Sequence, residues 1–282
     1  MDTSFSIEQL ISTAADQLAE AGSDEPQANA EWLLACVLNV TRTWLLMNRS
    51  QQINAEQLSQ YHKYLKRKAA GEPLSHIVGF QPFCGLDIRV TPSVLTPRPE
   101  TEELVDLVSD HYKRSGEYCF LDMCTGSGCI ALALANRFPK TKILGVDISE
   151  SALKVAQENA TRLHLTQQVQ FLQSDIWENV QGTFDLIVSN PPYIPSEIVD
   201  TLTREVLHEP RLALDGGADG LEVVCPLCSL AADYLNPNGL LALELCKGQA
   251  AVVARGLAEI GWKTEVKKDI VGIERFVLAQ KI

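Results

Sequence analysis

The sequence predicts an α/β protein in which a small all-helical domain precedes a larger domain built on a mostly parallel sheet. Apolar residues recur at helical spacing through residues 1–78. From residue 119 onward, short apolar runs alternate with helix-like segments, which is typical of a parallel sheet with crossover helices. The chain has 282 residues, 46% of them hydrophobic, and is therefore long enough to form both domains.

Residues 1–78 predict a helical bundle. Two apolar stripes are separated by a break at residues 22–26, and Asn54 with Gln57 has the pattern of a capping box. Basic residues 66–68 precede Gly71, as the dipole at the carboxyl end of a helix prefers. The bundle is either a structural support or a module that docks the substrate outside the active site. We adopt docking as the hypothesis to test.

The next segment, residues 79–95, approaches the period-two alternation of strands and predicts a β-hairpin linker with Gly85 in its turn. The domain from residue 96 to 282 then opens with a helix start, marked by Pro99 with acidic residues behind it. Within this stretch, Arg98 and Glu102 either belong to a solvated helix start or face the cleft, where they would bind substrate.

The first predicted strand, residues 119–124, leads into the loop Thr125-Gly126-Ser127-Gly128 and then a helix. Two close glycines let a ligand approach the backbone, and the N–H groups that open the helix favour an anionic group. The loop also matches a relaxed dinucleotide-binding pattern, so it does not decide the ligand by itself.

Two further strands each end in a carboxylate. Asp147 lies 19 residues past Gly128, where an acid can accept hydrogen bonds from both hydroxyls of a ribose. Asp175 ends the next strand and is placed to accept from an adenine amine, while Ile176 or Trp177 packs on the ring. Either acid would also serve as a simple helix cap. The order of these features nevertheless indicates a nucleoside cofactor.

A fourth strand, residues 184–189, delivers Asn190-Pro191-Pro192-Tyr193 to the same edge of the sheet. Because prolines hold the preceding residues extended, the Asn190 side-chain oxygen and the Pro191 carbonyl can accept both hydrogens of one planar NH₂ group. Tyr193 would supply a flat apolar face beside it. Two prolines also commonly end a strand, but the position favours a site for an amide or aromatic amine.

Composition limits the partners. The net charge of −12 argues against a partner held through phosphates, because that mode of binding needs clustered Lys and Arg. It favours a basic partner such as a protein.

The scattered cysteines are expected to be reduced, with Cys225 and Cys228 in a core helix rather than a redox or zinc pair. We expect no metal and no membrane-spanning segment. We also expect no targeting signal, since the first 41 residues contain no Lys or Arg.

Together these motifs resemble the class I S-adenosylmethionine-dependent methyltransferases and, over nearly the whole chain, the release factor glutamine methyltransferases known as PrmC or HemK. One departure from the broad class is Cys124, where the first of three loop glycines is usual, which leaves only the backbone angle there in doubt. The likeness is carried by five segments, which are residues 71–79, 96–102, 121–128, 190–194 and 209–220.

The resemblance implies a Rossmann-like methyltransferase domain with a mostly parallel seven-stranded sheet and helices on both faces. It implies methylation of the amide nitrogen N5 of the glutamine in the Gly-Gly-Gln motif of peptide chain release factors, with S-adenosylmethionine converted to S-adenosylhomocysteine. We expect the protein to be a cytoplasmic monomer that, given its net charge, binds no nucleic acid stably. Its expected catalytic residues are Asn190 and Pro191, and its substrate-binding residues are Asn190, Pro191, Pro192, Tyr193, Arg98 and Glu102. Its expected cofactor-binding residues are Asp122, Cys124, Thr125, Gly126, Ser127, Gly128, Asp147, Ile148, Asp175, Ile176, Trp177 and Asn190.

Other functions compete with this one. Methylation of a ribosomal-protein glutamine uses the same tetrapeptide, and adenine N6 in nucleic acid presents the same NH₂ geometry, although the net charge disfavours it. A nicotinamide-dependent oxidoreductase built on the Gly126 loop leaves residues 190–193 without a role. A non-catalytic protein that only retains the fold is the remaining alternative.

Overall fold

The computed structural model describes residues 5–281, which form two compact units. The first unit contains the chain up to residue 79 together with residues 203–208, and the second contains residues 80–202 and the chain from residue 209 onward. No helix within the described residues is long and apolar enough to cross a membrane.

The first unit is helical, as the apolar periodicity predicts. Ser6 and Gln9 form a capping box at the start of its first helix, and the predicted box of Asn54 and Gln57 begins its fourth. The helices pack around a common apolar core in which Tyr61 is fully buried and donates a hydrogen bond to the carbonyl oxygen of Ala30 at 3.1 Å. The helices are α1 (Ile7–Glu20), α2 (Pro26–Leu38), α3 (Arg42–Met47), α4 (Ala55–Ala69) and α5 (Leu74–Val78).

Residues 203–208 join this unit through an ion pair. The ammonium of Lys68, whose side chain is 1% exposed, contacts the carboxylate of Glu205, which is 38% exposed. A second pair, Arg67 with Glu72, ties the end of α4 to the following loop. The first unit therefore takes part of its structure from a segment more than one hundred residues away in sequence.

The second unit begins with the predicted hairpin, formed by β1 (Phe80–Phe83) and β2 (Leu86–Arg89). Its two-residue turn places both Cys84 and Gly85 at positive φ, 49° and 78°, as tight turns between right-twisted strands require. The inward-facing residues Phe83 and Ile88 are buried and pack in the larger of the two cores of this unit.

A seven-stranded sheet organises the rest of this unit in the order β5-β4-β3-β6-β7-β9-β8, and β9 runs antiparallel to the other strands. This confirms the predicted mostly parallel sheet. Its strands are β3 (Cys119–Met123), β4 (Lys142–Asp147), β5 (Val169–Gln173), β6 (Phe184–Ser189), β7 (Leu235–Glu244), β8 (Trp262–Lys268) and β9 (Glu274–Lys281). The helices are α6 (Pro99–Ser109), α7 (Cys129–Arg137), α8 (Glu150–Arg162), α9 (Ser196–Val199), α10 (Val224–Leu230) and α11 (Gln249–Glu259).

Helices cover both faces of the sheet, which explains why its central strands are apolar at successive positions. On β3, Phe120 packs into the core shared with α6, α7 and α8, whereas its neighbour Leu121 packs into the core shared with α10 and α11. Chain order reverses between β3 and β6, and crevices beside the carboxyl ends of strands at such a switch point are where open α/β sheets bind ligands.

Candidate active site

A cavity lies at this switch point, beside the carboxyl ends of the parallel strands. The loops after β3, β4, β5 and β6 each contribute residues to its lining, together with the start of α6 and part of the 209–220 segment. The predicted residues that line it are Arg98, Cys124, Thr125, Gly126, Ser127, Asp147, Ile148, Asp175, Ile176, Asn190 and Pro192. The sequence motifs thus converge on one site.

The loop after β3 is held open by left-handed backbone conformations. Gly126 and Gly128 have φ of 55° and 80°, and Cys124 has φ of 60° although it carries a side chain. A Cβ added to Gly126 would meet nothing within 4 Å, so this position faces open space in the cavity wall. The loop therefore has room for a ligand close to its backbone.

Asp122 supports this loop from below instead of lining the cavity. It is fully buried, and its Oδ2 accepts hydrogen bonds from the Thr125 hydroxyl at 2.6 Å and the Ala131 N–H at 3.0 Å. Burial raises the pKa of this carboxyl to about 7. The carboxyl therefore fixes the loop to the first turn of α7.

Asp147 presents its carboxylate in the cavity wall. One oxygen accepts from the N–H of Gly126 at 2.8 Å and the other from the N–H of Ser149 at 2.9 Å. Desolvation raises its pKa, while these backbone N–H groups oppose the shift. Each carboxylate oxygen retains acceptor capacity, so the group is fixed in position and can still bind a pair of hydroxyls.

The end of the site expected to hold a base contains the exposed Asp175 and the half-buried Ile176. Ile176 has φ of 45°, an uncommon conformation for a β-branched residue and one that concentrates at functional sites. Trp177 does not line the cavity. Its indole N–H donates to the Pro226 carbonyl at 3.2 Å, and its ring stacks on Tyr234 with centroids 4.3 Å apart. Both the N–H group and the ring of Trp177 therefore already have partners behind the loop.

Asn190 and Pro192 of the tetrapeptide line the cavity, whereas the buried Pro191 and half-buried Tyr193 lie beside it. The Asn190 side-chain Nδ2 donates to the Thr101 hydroxyl oxygen at 3.0 Å. Within residues 5–281, the Asn190 Oδ1 has no hydrogen-bond partner and so is available to a ligand. The Tyr193 carbonyl is occupied by the Gln249 side chain at 2.9 Å, and burial raises the pKa of the Tyr193 phenol.

Arg98 and Glu102 take different positions. Arg98 lines the cavity, and its guanidinium pairs with the buried carboxylate of Glu209. The Glu102 carboxylate instead accepts the N–H of Cys84 in the hairpin turn, outside the cavity lining. Arg98 is the N-cap residue with extended backbone, so the spacing of four residues does not place the two side chains on one helical face.

The structure adds residues for which the sequence suggested no role. Thr101 lines the cavity, as do Pro210, Leu212 and Ala213 of the 209–220 segment. This segment pairs with the residue after the tetrapeptide, since the N–H of Ile194 donates to the Leu214 carbonyl at 2.9 Å. The sequence singled out this segment only through its resemblance to the family. No hydrophobic periodicity in it predicted that it would line the cavity.

Two family models match the chain. The one described as the PrmC N-terminal domain matches residues 9–79, and the one described as the methyltransferase small domain matches residues 101–227. The release factor glutamine methyltransferase of Caulobacter vibrioides is 42% identical over 273 residues, which cover 95% of this chain and 94% of that protein. The protein of the same description from Moorella thermoacetica is 39% identical over 280 residues, covering 98% and 99%.

Among solved structures, the 16S rRNA N2 G1207 methyltransferase of Thermus thermophilus, in complex with AdoMet and guanosine, aligns with a TM-score of 0.53. The alignment covers 72% of this chain and 50% of that chain at 20% identity. At this identity the likeness shows a shared fold and nothing finer.

Proposed function

Because the chain belongs to the release factor glutamine methyltransferases, we propose that it transfers the methyl group of S-adenosylmethionine to the amide nitrogen N5 of the glutamine in the Gly-Gly-Gln motif of peptide chain release factors. The observation that carries the proposal is the Asn190 side chain, which lines the cavity with its oxygen free and its Nδ2 already bonded. A free acceptor oxygen in the cavity suits a substrate NH₂ group.

The residues present fit S-adenosylmethionine. The open space above Gly126 suits a group lying against the loop backbone, the Asp147 carboxylate suits the ribose hydroxyls, and Asp175 with Ile176 suits the adenine. When bound, this cofactor supplies a methyl group already activated by the sulfonium. The chain's own task is then to hold the acceptor nitrogen.

A glutamine amide nitrogen is a weak nucleophile because its lone pair is delocalised into the carbonyl. Asn190 Oδ1 and the Pro191 carbonyl would accept its two hydrogens, aim the nitrogen and stabilise the positive charge that develops on it. Positioning of this kind can lower a barrier by roughly 7–11 kcal/mol. No His or Lys occurs among the described residues lining the cavity. We propose that the proton leaves to solvent after transfer, when the nitrogen is acidic.

The same pair of acceptors would exclude glutamate. A carboxylate has no hydrogen to share and would face two oxygen atoms, and sites built for hydrogen-bonding an NH group reject analogues that lack it. Tyr193, half-buried beside the pair, would support the flat amide face.

We further propose that the helical unit docks the release factor and that the enzyme acts as a cytoplasmic monomer. The match of residues 9–79 to a domain named for this family supports a role specific to the family. The net charge of −12 suits a basic protein partner and disfavours stable binding of nucleic acid.

The test is transfer of labelled methyl from S-adenosylmethionine to a purified release factor, beside the Gln→Ala variant of its Gly-Gly-Gln loop and a duplex DNA control. Label on the wild-type factor alone is the expected result. Label on DNA, or on neither, would overturn the substrate assignment. Thermal stabilisation by S-adenosylhomocysteine but not by NAD would separately establish the cofactor.

A further inference from the structure

Thr101 is the hydrogen-bond partner of the Asn190 amide. It lies in the first turn of α6, is 2% exposed and lines the cavity. Its hydroxyl oxygen is 3.0 Å from Nδ2 of Asn190. An amide nitrogen can only donate, so in this contact the hydroxyl is the acceptor.

The buried Glu244, the last residue of β7 and 1% exposed, is the neighbouring carboxyl whose pKa the Thr101 hydroxyl lowers. A hydroxyl that lowers the pKa of a carboxyl donates its hydrogen to the ionised form, and this leaves the lone pairs of the Thr101 oxygen for the Asn190 amide. When Glu244 is ionised, the donors therefore run in one direction, from the Asn190 amide to the Thr101 hydroxyl and from the hydroxyl to the carboxylate.

This direction matters because the oxygen and nitrogen of an asparagine amide have nearly the same shape. Packing alone does not distinguish the two flipped orientations, and only hydrogen bonds do. In the flipped orientation, Asn190 would present N–H groups toward the cavity, and these would oppose a substrate NH₂ group. A device that fixes the orientation is thus needed wherever the oxygen must face the substrate.

We propose that Thr101, oriented by Glu244, is a positioning residue that fixes the Asn190 amide with its oxygen toward the substrate NH₂ group. The inference rests on the proposed function. Burying a carboxylate costs free energy, and Oε2 of Glu244 has no hydrogen-bond partner within residues 5–281. The hydrogen bonds of Glu244 itself therefore do not explain why a carboxylate is buried at this position. The charged groups around it are Arg98 and Glu100 at the start of α6 and Arg275 on β9.

The experiment compares Thr101→Val, which removes the hydroxyl at nearly constant shape, with Thr101→Ser, which keeps it. Thr141→Val is the matched control, because Thr141 is also fully buried in this unit, lies outside the cavity lining, and its hydroxyl has no hydrogen-bond partner among the described residues. Three quantities are measured for each protein. They are the single-turnover rate of methyl transfer to the release factor, the dissociation constant of S-adenosylhomocysteine and the melting temperature.

We expect Thr101→Val to lower the transfer rate by about 10-fold or more while the dissociation constant changes by less than about threefold. Thr101→Ser should restore most of the rate, and Thr141→Val should match the wild type. Glu244→Gln should fall between the wild type and Thr101→Val in rate, because its amide oxygen still accepts the hydroxyl hydrogen.

Other outcomes would overturn the inference. Thr101→Val that transfers methyl at the wild-type rate would show that the hydroxyl is not needed. Thr101→Ser as slow as Thr101→Val would assign the effect to the lost methyl group, and parallel losses of rate, affinity and melting temperature would assign it to folding. A wild-type enzyme that transfers nothing would overturn the proposed function itself.

Discussion

Asn190 contacts the substrate in the proposed reaction, and its removal should affect chemistry more than cofactor binding. We expect Asn190→Ala to lower the methyl-transfer rate by about 100-fold, the scale for loss of one preorganised transition-state hydrogen bond. The dissociation constant of S-adenosylhomocysteine should change by less than about fivefold, because the loop and carboxylates that suit it remain. Single-turnover kinetics and titration calorimetry measure the two quantities. Equal losses in both would contradict the role of Asn190 as substrate acceptor.

Asp147 should show the opposite pattern. We expect Asp147→Ala to weaken S-adenosylhomocysteine binding about 10- to 100-fold, since it removes charge-assisted hydrogen bonds to a ribose and the two backbone contacts to Gly126 and Ser149. Asp147→Asn, which keeps one acceptor oxygen, should lose less. Asp87→Ala, an exposed acid in the hairpin, serves as the calorimetric control. An unchanged affinity in Asp147→Ala would remove Asp147 from the cofactor site.

Single residues also show where sequence reasoning reached its limit. Cys124 stands where the class usually has a glycine, which raised the question of its backbone angle. The structure shows this residue at a positive φ of 60°. No sequence signal marks Ile176, whose φ of 45° runs against the preference of β-branched residues. The orientation of Trp177 depends on partners in and near α10, Pro226 and Tyr234, far away in sequence. Local chemistry predicted which loops form the site and many of the residues that line it, but not that Trp177 lies outside the lining.

At the scale of elements, the central strands were predictable because both their faces are buried. The runs at residues 142–147 and 184–189 coincide with β4 and β6. By contrast, β7 begins with Leu235-Asn236-Pro237-Asn238-Gly239, a composition that indicates a turn, and Asn238 has φ of 65°. The strand is specified by pairing with β6 and β9 on either side. Because the sequence did not predict β7, it also did not indicate the position of Glu244 at the end of that strand.

Glu244 at the end of β7 should make stability depend on pH. Burial raises the pKa of this carboxyl from 4.5 to about 7, and the nearby Glu100 adds to the rise. The Thr101 hydrogen bond and the positive charges of Arg275 and Arg98 lower the pKa and oppose this rise. The folded state therefore binds this proton more tightly than the unfolded state. The resulting stabilisation is complete below pH 4.5 and is lost as the pH rises through about 7.

Glu244→Gln removes this titration. Relative to the wild type, we expect the variant to gain up to about 3 kcal/mol in free energy of unfolding between about pH 5 and pH 8. Urea titrations at several pH values measure the difference. Asp122, whose pKa burial also raises to about 7, is present in both proteins and cancels. A difference that stays constant with pH would mean that the folded-state pKa of Glu244 is not raised.

At the scale of the whole molecule, residues 203–208 belong to the helical unit although they lie between segments of the other unit. No periodicity in so short a segment predicts this, and the ion pair of Lys68 with Glu205 that holds it joins residues distant in sequence. We expect Glu205→Gln to lower the free energy of unfolding by about 3 kcal/mol, because it leaves the buried Lys68 ammonium without a counter-ion. Lys68→Met, which fills the same space without charge, should cost less. Urea denaturation measures both, and the reverse order would contradict this account.

The overall charge of the chain bears on how it meets its substrate. A protein at −12 attracts a basic partner over long range, and salt screens this attraction, with a Debye length that falls from roughly 10 Å to about 3 Å between 0.1 M and 1 M. We expect kcat/KM for an intact release factor to fall about 10-fold or more between about 0.05 M and 0.5 M salt, mainly through KM. The melting temperature at each salt concentration is the control.

A short Gly-Gly-Gln peptide separates this long-range attraction from events inside the cavity. The peptide enters the same site but lacks most of the partner's charge, so its kcat/KM should change by less than about threefold over the same salt range. Equal salt dependence for factor and peptide would place the charge effect at the cavity. No dependence for either would mean that apolar contacts dominate docking. The expected difference would instead assign recognition of the factor to surface outside the active site, which is the role proposed for the helical unit.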